Sequence, residues 1–443
     1  MGNSGVSQEA GELANRQRRV LAPGVATYYA QPIELDHGDG CYLFDKNGQR
    51  YLDFFGGILT VSVGHANPRV NAAVVDQIQK LTHVSTLYIS EPMVDLAERL
   101  AQMTPGNLEV SFFTSSGTEA NETAVAMART ATGAYEVIAL RHSYSGRSAL
   151  AMTLTGQANW RMGLPGTPGV VHAMNAYCYR CPFGKTPDRC GLECAKDMED
   201  TIRTSTSGRI AAVIAEPIQG VGGFITPPDE YFQEIARIVR KYGGLFIADE
   251  VQTGFGRTGK AFGIEHSGVE PDLMTFAKGL GNGHPIGATI ATQAVAGQYT
   301  GPTISTFGGN PVSMRAALAT LDVIDEDRLT ENAREQGAAL RAGLEELQQR
   351  YPMIGDVRGK GLMQGMEFVR SHKAPAPDLV NRFFEYTKAE GLLLGKGGLY
   401  GNTVRIAPAL NVSRQQVNDA LSLMENALAR MVGEEPDLAQ LTL

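Results

Sequence analysis

The sequence predicts an α/β protein in which a large domain built on a mostly parallel sheet is followed by a smaller α+β domain. Three observations carry this reading. Between about residues 65 and 310, short apolar runs alternate with helical stretches, the rhythm of parallel strands joined by helical crossovers. The clearest runs, at 137–140, 211–215, 245–248, 273–276 and 288–291, are almost wholly apolar, as strands covered on both faces must be. Beyond them the pattern changes: Leu340, Leu344, Leu347 and Tyr351 recur at helical spacing, and residues 361–368 resume strand character.

Taken in order, residues 1 to about 20 are polar and read as a mobile arm. From Ile33 to Phe54 the pattern is strand-like, with Asp45-Lys46-Asn47-Gly48 turning a hairpin between Cys41-Tyr42-Leu43-Phe44 and Tyr51-Leu52-Asp53-Phe54. Phe112-Phe113-Thr114 leads into a helical stretch at 120–131, and Ser116 and Glu119 before it have the spacing of a capping box. Ala374-Pro375-Ala376-Pro377 interrupts the last third as a loop. The expected organisation is an N-terminal arm and strand unit over 1–60 that joins the small domain, a large domain over 61–325, and a C-terminal small domain over 326–443.

Composition narrows the function. The chain has 443 residues, 43% hydrophobic and 19% charged, enough for a large core and unlike a disordered segment. Its 39 Lys and Arg against 47 Asp and Glu leave a net charge of -8, which repels phosphate backbones and anionic membranes. Neither nucleic acid nor a membrane is expected as a partner. No apolar run has the length of a bilayer span, and Val6 stands where a myristoylation signal starting at Met1-Gly2 needs Ser or Thr. The chain reads as cytoplasmic, and five Cys suit a reducing compartment.

Three of the apolar runs end on an ionisable residue: Glu216, Asp249 and Lys278. In an open parallel sheet the ligand crevice lies at the carboxyl ends of the strands, so these three converge on one site suited to cofactor chemistry. Ser115-Ser116-Gly117-Thr118 opens a helix, where free backbone N–H groups and the positive dipole end favour an anion such as phosphate. Two other motifs compete. Residues 254–259 fit G-x-G-x-x-G and approach a phosphate-binding P-loop, but the following residues open no helix and Ala261 replaces the magnesium-binding hydroxyl. Cys178-x2-Cys181-x8-Cys190-x3-Cys194 has the spacing of two ligand pairs for a structural zinc; free thiols are the reading placed first, with no metal required.

The ordered motifs at 116–122, 143–147, 216–220, 249–259, 277–279 and 306–311, closed by Val404-Arg405, resemble those of the class III aminotransferases, pyridoxal-phosphate enzymes of fold type I, over roughly residues 25 to 430. The resemblance implies a role for each residue. Lys278 would hold the cofactor as a Schiff base and then act as base, a use that desolvation of a lysine permits. Asp249 would face the pyridine nitrogen and keep it protonated. Val251 and Tyr144 would cover the two ring faces, and Gln252 would bond the ring hydroxyl. Ser116, Gly117 and Thr118 would bind the phosphate, reached also by Thr306 of the neighbouring subunit in a homodimer or dimer of dimers. Glu216 is placed beside the cofactor and, by resemblance, can mask an arginine when no carboxylate is present. Arg405 would receive the substrate α-carboxylate, for which a planar guanidinium suits better than lysine. Arg147 matches an arginine that grips a distal carboxylate, and Ile58 and Leu59 fall where the pocket lining begins. His142 and His284 are expected to be ordinary hydrogen-bonded histidines.

The implied reaction is ping-pong transfer of an amino group from an amine, an ω-amino acid or alanine to a keto acid such as pyruvate or glyoxylate. An aminobutyrate- or ornithine-type enzyme using 2-oxoglutarate is the alternative, and racemases, aminomutases and decarboxylases share the same cofactor motifs. A non-catalytic nucleotide- or zinc-binding module is the rival from another class.

Overall fold

The computed structural model describes residues 11–441. The central sheet has seven strands, in spatial order Leu108–Thr114, Gly287–Thr292, Leu273–Phe276, Leu245–Asp249, Ile210–Ala215, Glu136–Leu140 and Val170–Ala173. The last five pair in parallel, while Gly287–Thr292 runs antiparallel to both its neighbours. The run at 288–291 is thus the one reversed strand of an otherwise parallel sheet. The connection 277–286 is too short for a helical crossover, so the chain can only turn back beside Leu273–Phe276.

Strand sequence explains burial here. Val137, Ile138, Ala139, Ala211, Ala212, Val213, Phe246, Ile247 and Ala248 are fully buried, because helices cover both faces of the sheet. Each helix that matters to the site is fixed by its cap. Gly117–Thr132 starts at Ser116, whose side chain accepts from the Glu119 N–H, and stops at left-handed Gly133. Pro68–Lys80 and Pro311–Glu326 begin with proline after an asparagine cap, a position where the missing N–H costs nothing.

Two smaller sheets flank this one. Arg50–Asp53 pairs antiparallel with Tyr42–Asp45 and parallel with Leu392–Leu393, so the N-terminal hairpin is bonded to the C-terminal region. Its turn is built as the residues require: Asp45 accepts from the Asn47 and Gln49 N–H groups, and Gly48 takes φ +80. The C-terminal sheet joins Ile354–Lys360, Met363–Arg370, Thr403–Ile406 and Gly395–Gly397. Gly361 and Leu362, read as strand, instead form the turn between the first two, since Gly361 takes φ +53. Ala374 and Pro375 are likewise more than a loop, bridging back to Val369 and Arg370 before the helix Pro377–Ala389.

The first ten residues of the expected arm, with Val6, lie outside the described residues. Its remainder is a helix, Glu12–Val20, with Glu12 in the first turn, Arg18 and Arg19 in the last, and Ala14 buried. Those charges complement the helix dipole, a local signal that a reading based on polarity alone overlooks. Among the described residues no helix is long and apolar enough to cross a membrane.

Candidate active site

The three parallel strands Ile210–Ala215, Leu245–Asp249 and Leu273–Phe276 bring Glu216, Asp249 and Lys278 to one edge of the sheet. All three line a cavity of about 300 Å³ together with Ser116, Gly117, Thr118, Tyr144, Val251 and Gln252. Thr60, Asn121 and His284, which sequence reasoning did not assign to the site, line it too.

Asp249 is buried and doubly bonded: Asn121 Nδ2 donates to Oδ2 at 2.8 Å and the Val251 N–H to Oδ1 at 3.1 Å. Asn121 is oriented in turn by Thr275, whose hydroxyl donates to its Oδ1 at 2.7 Å. Burial pushes Asp249 above the ordinary carboxylate range, opposed by these bonds and by Lys278. Glu216 accepts from the N–H groups of Tyr144 at 3.0 Å and Gly220 at 2.8 Å. Burial, aided by Asp249, raises it to about 8. Lys278 is lowered by burial, with Asp249 and Glu216 drawing it back up. It also sits at φ +44, a strained conformation for a side-chain-bearing residue.

The phosphate-binding expectation rests on the start of Gly117–Thr132. The capping box forms by half: Ser116 accepts from the Glu119 N–H, but the Glu119 carboxylate accepts from the Ser115 N–H at 2.8 Å and the Ser116 hydroxyl at 3.3 Å instead of from the Ser116 N–H. Gly117 lets the helix start approach Val251 closely: a Cβ there would lie 3.0 Å from both Val251 methyls, which would have to give. Thr118 Oγ1 accepts from the Arg147 N–H at 3.3 Å, which seats the 144–147 loop against the helix start.

These groups fit a phosphorylated pyridine. A buried carboxylate with one neighbouring lysine matches a protonated ring nitrogen, the helix N-terminus matches the phosphate, and Gln252 Oε1 is buried without a partner, as an acceptor awaiting a hydroxyl would be. Tyr144 is backed by Trp160, whose ring meets it edge-on at 5.4 Å.

Arg405 stands just behind the cavity on Thr403–Ile406, within electrostatic reach of both Lys278 and Glu216. Its guanidinium lies between the rings of Phe55 at 4.8 Å and Phe224 at 5.7 Å, and Tyr28 approaches it as well. Nε donates to the Lys396 carbonyl at 3.0 Å, whereas Nη1 is buried with no partner. Glu216 and Arg405 form no ion pair, since Glu216 is engaged by backbone amides.

Other expected residues fall differently. Arg147 is exposed at the rim. Ile58 is 45% exposed, but Leu59 is 2% exposed in a cluster with Phe55, Ile218, Phe224, Met363 and Ala407, so it belongs to the packing beneath Arg405 and Thr60 takes the lining position. Thr306 is exposed and does not line this chain's own cavity. His142 lies away from the cavity against Tyr177, and its Nδ1 is buried without a hydrogen bond, contrary to expectation. Two other lysines flanked by glycines, Lys360 and Lys396, pair elsewhere, with Asp229 and Asn381.

The two competing motifs are placed elsewhere. In residues 254–259, Arg257 is buried and donates to the carbonyls of Leu362 and Pro408, while Gly256 and Gly259 pack on Thr330 and Arg334. That is a packing loop. Cys178, Cys181, Cys190 and Cys194 surround a separate small cavity as free thiols, with Cys194 raised to about 12 by burial and its neighbours. Among the described residues no three His, Cys, Asp or Glu side chains are grouped to hold a metal ion.

Comparison with known proteins places this geometry. The sequence profile of the family described as aminotransferase class-III matches residues 25–428. The chain is 42% identical over 422 residues to alanine–glyoxylate aminotransferase 2 homolog 2, mitochondrial, of Arabidopsis thaliana, covering 95% of this chain and 87% of that protein. A thermostable (S)-enantioselective omega-transaminase from Thermomicrobium roseum superimposes with a TM-score of 0.88 at 34% identity, over 95% of this chain and 98% of that one. An amine transaminase from an uncultivated Pseudomonas species, solved in its PLP-bound form, gives a TM-score of 0.87 at 31% identity, over 93% and 98%.

Proposed function

The chain belongs to the class III aminotransferases, which are pyridoxal-phosphate enzymes of fold type I, and from that premise we propose that it takes nitrogen from alanine, an amine or an ω-amino acid and delivers it to a short monocarboxylic keto acid such as pyruvate or glyoxylate. The observation that carries the substrate class is Arg405: one buried guanidinium, aromatic on two sides, with Nη1 lacking a hydrogen-bond partner. It offers a place for one carboxylate. The second arginine, Arg147, stays exposed at the rim, which favours acceptors without a distal carboxylate.

Pyridoxal phosphate, when bound, supplies an electron sink for the substrate carbon that loses a proton. This chain's residues supply the rest. Lys278 would hold the cofactor and, as an amine whose proton affinity burial has lowered, take the proton from that carbon and return it. Asp249, oriented by Asn121, would hold a proton on the ring nitrogen. Ser116, Gly117 and Thr118 would bind the phosphate, Gln252 the ring hydroxyl, and Tyr144 and Val251 the ring itself.

A homodimer completes the proposal. Leu87, Tyr88, Ile89, Ile304 and Phe307 are all exposed, and the ring of His83 lies tilted at 5.3 Å from that of Phe307, next to the exposed segment that carries Thr306. A second copy covering it would bring Thr306 to the neighbouring site.

The test is the visible absorption of the purified holoenzyme during addition of alanine, or of 1-phenylethylamine, without keto acid. The band should fall and then return with pyruvate or glyoxylate. A band unmoved by every donor would overturn the transfer reading, and recovery with 2-oxoglutarate alone would overturn the acceptor class.

A further inference from the structure

Residues Gly56–Leu59 form a turn of the wrong hand. Their φ values are +55, +59, +67 and +57, and the turn closes with helical spacing, the Leu59 N–H donating to the Phe55 carbonyl at 3.0 Å and the Thr60 N–H to that of Gly56 at 2.8 Å. Glycine tolerates this conformation, but Ile58 and Leu59 do not adopt it without compensation.

The compensation comes from Asp53. Its buried carboxylate accepts from the N–H groups of Phe55 at 2.9 Å and Gly56 at 3.0 Å through Oδ1, and from His65 Nε2 at 2.9 Å through Oδ2. His65 is anchored by backbone bonds in both directions with Gly40. The turn is also buttoned to the strand end that carries Arg405: the Ala407 N–H donates to the Phe54 carbonyl at 2.7 Å, and a Cβ on Gly56 would lie 3.3 Å from the Ala407 carbonyl oxygen.

The turn determines where two side chains go. Leu59 is driven inward among Ile218, Phe224, Met363 and Ala407. Phe55 lands with its ring 4.8 Å from the Arg405 guanidinium and 6.0 Å from the Tyr28 ring, in space that exists because residue 395 is glycine. The turn thus seats Phe55, and through Leu59 it packs in the cluster that holds Phe224, the second ring beside Arg405.

We infer that Asp53 is a positioning residue for carboxylate recognition: by holding the mirror-image turn it fixes Phe55, and through Phe55 the aim of Arg405, so its removal weakens substrates that carry a carboxylate and spares amines that do not. The inference rests on the reading of Arg405 as the carboxylate receptor.

Steady-state kinetics of the holoenzyme with 1-phenylethylamine as donor and pyruvate as acceptor separate the two. Asp53→Ala and Gly56→Ala, which disturb the turn from opposite sides, should each raise the pyruvate KM about tenfold while kcat and the donor KM stay within about twofold. The calorimetric Kd for propionate, an unreactive carboxylate, should rise in parallel. Asp53→Asn keeps an oxygen for the two N–H groups and should restore most of the loss. Arg405→Ala is the reference: if it leaves the pyruvate KM unchanged, the receptor reading fails. If it raises that KM while Asp53→Ala and Gly56→Ala do not, or if these two variants raise donor and acceptor KM alike, the inference about Asp53 is overturned.

Discussion

Burial shifts the charge of individual residues here, and His142 shows the effect outside the catalytic cavity. It sits at φ +67 against Tyr177, with Nδ1 unpartnered and Arg141 and Arg358 nearby, so burial first and those cations second lower it to about 4. The folded pKa lies below the unfolded one, near 6.5. The neutral ring therefore stabilises the fold above pH 6.5, and that contribution is lost as the pH falls towards 4, because the unfolded chain binds the proton first. His142→Asn, which accepts the left-handed backbone, should flatten the fall in melting temperature between pH 6.5 and 4; parallel curves for the two proteins would refute the assignment. At this scale the sequence was informative where chemistry dictates residue type. Glu216, Asp249 and Lys278 were legible because each ends an apolar strand. Asn121 and Thr275, which orient Asp249, were not, since a buried amide and hydroxyl inside a helix and a strand look like any others until the fold brings them together.

Elements position these residues through close backbone approach. Gly117 lets the first turn of its helix meet Val251, and a Cβ at 3.0 Å from both methyls forces one partner to move. Gly117→Ala should leave the helix intact, alanine being a good helix former, but weaken pyridoxal phosphate about tenfold, or about 1.4 kcal/mol. Equilibrium binding of the cofactor to the apoprotein measures this, and unchanged affinity would argue against the tight cradle. The strand runs, the Ser116 cap and the hairpin at Asp45 were readable because each is a local pattern. The reversal of Gly287–Thr292 and the mirror-image turn at Gly56–Leu59 were not. The first depends on which neighbour the strand finds in the sheet, and the second on Asp53 and His65, separated by the turn itself.

The whole molecule joins segments far apart in sequence. Buried Arg358 bonds Asp356 and Glu367 of the C-terminal sheet and also the Gly223 carbonyl, while Arg180, within the cysteine loop, bonds Glu367 at 2.6 Å. The loop after Ile210–Ala215 is thereby tied to the sheet that carries Arg405. Assembly belongs to the same scale. Ile89 is 93% exposed, an apolar side chain of the kind a second copy covers. Ile89→Asp should shift the protein from dimer to monomer in sedimentation velocity and weaken cofactor retention in the same sample; a variant that stays dimeric would place the interface elsewhere.

Trp160 is the chain's sole tryptophan, and it stands edge-on to Tyr144, which lines the cofactor cavity. All indole emission from a subunit therefore originates beside the reaction centre. The protein carries a built-in optical probe, through which cofactor loading, donor arrival and product departure can be followed in unlabelled enzyme, with no signal from other tryptophans to subtract.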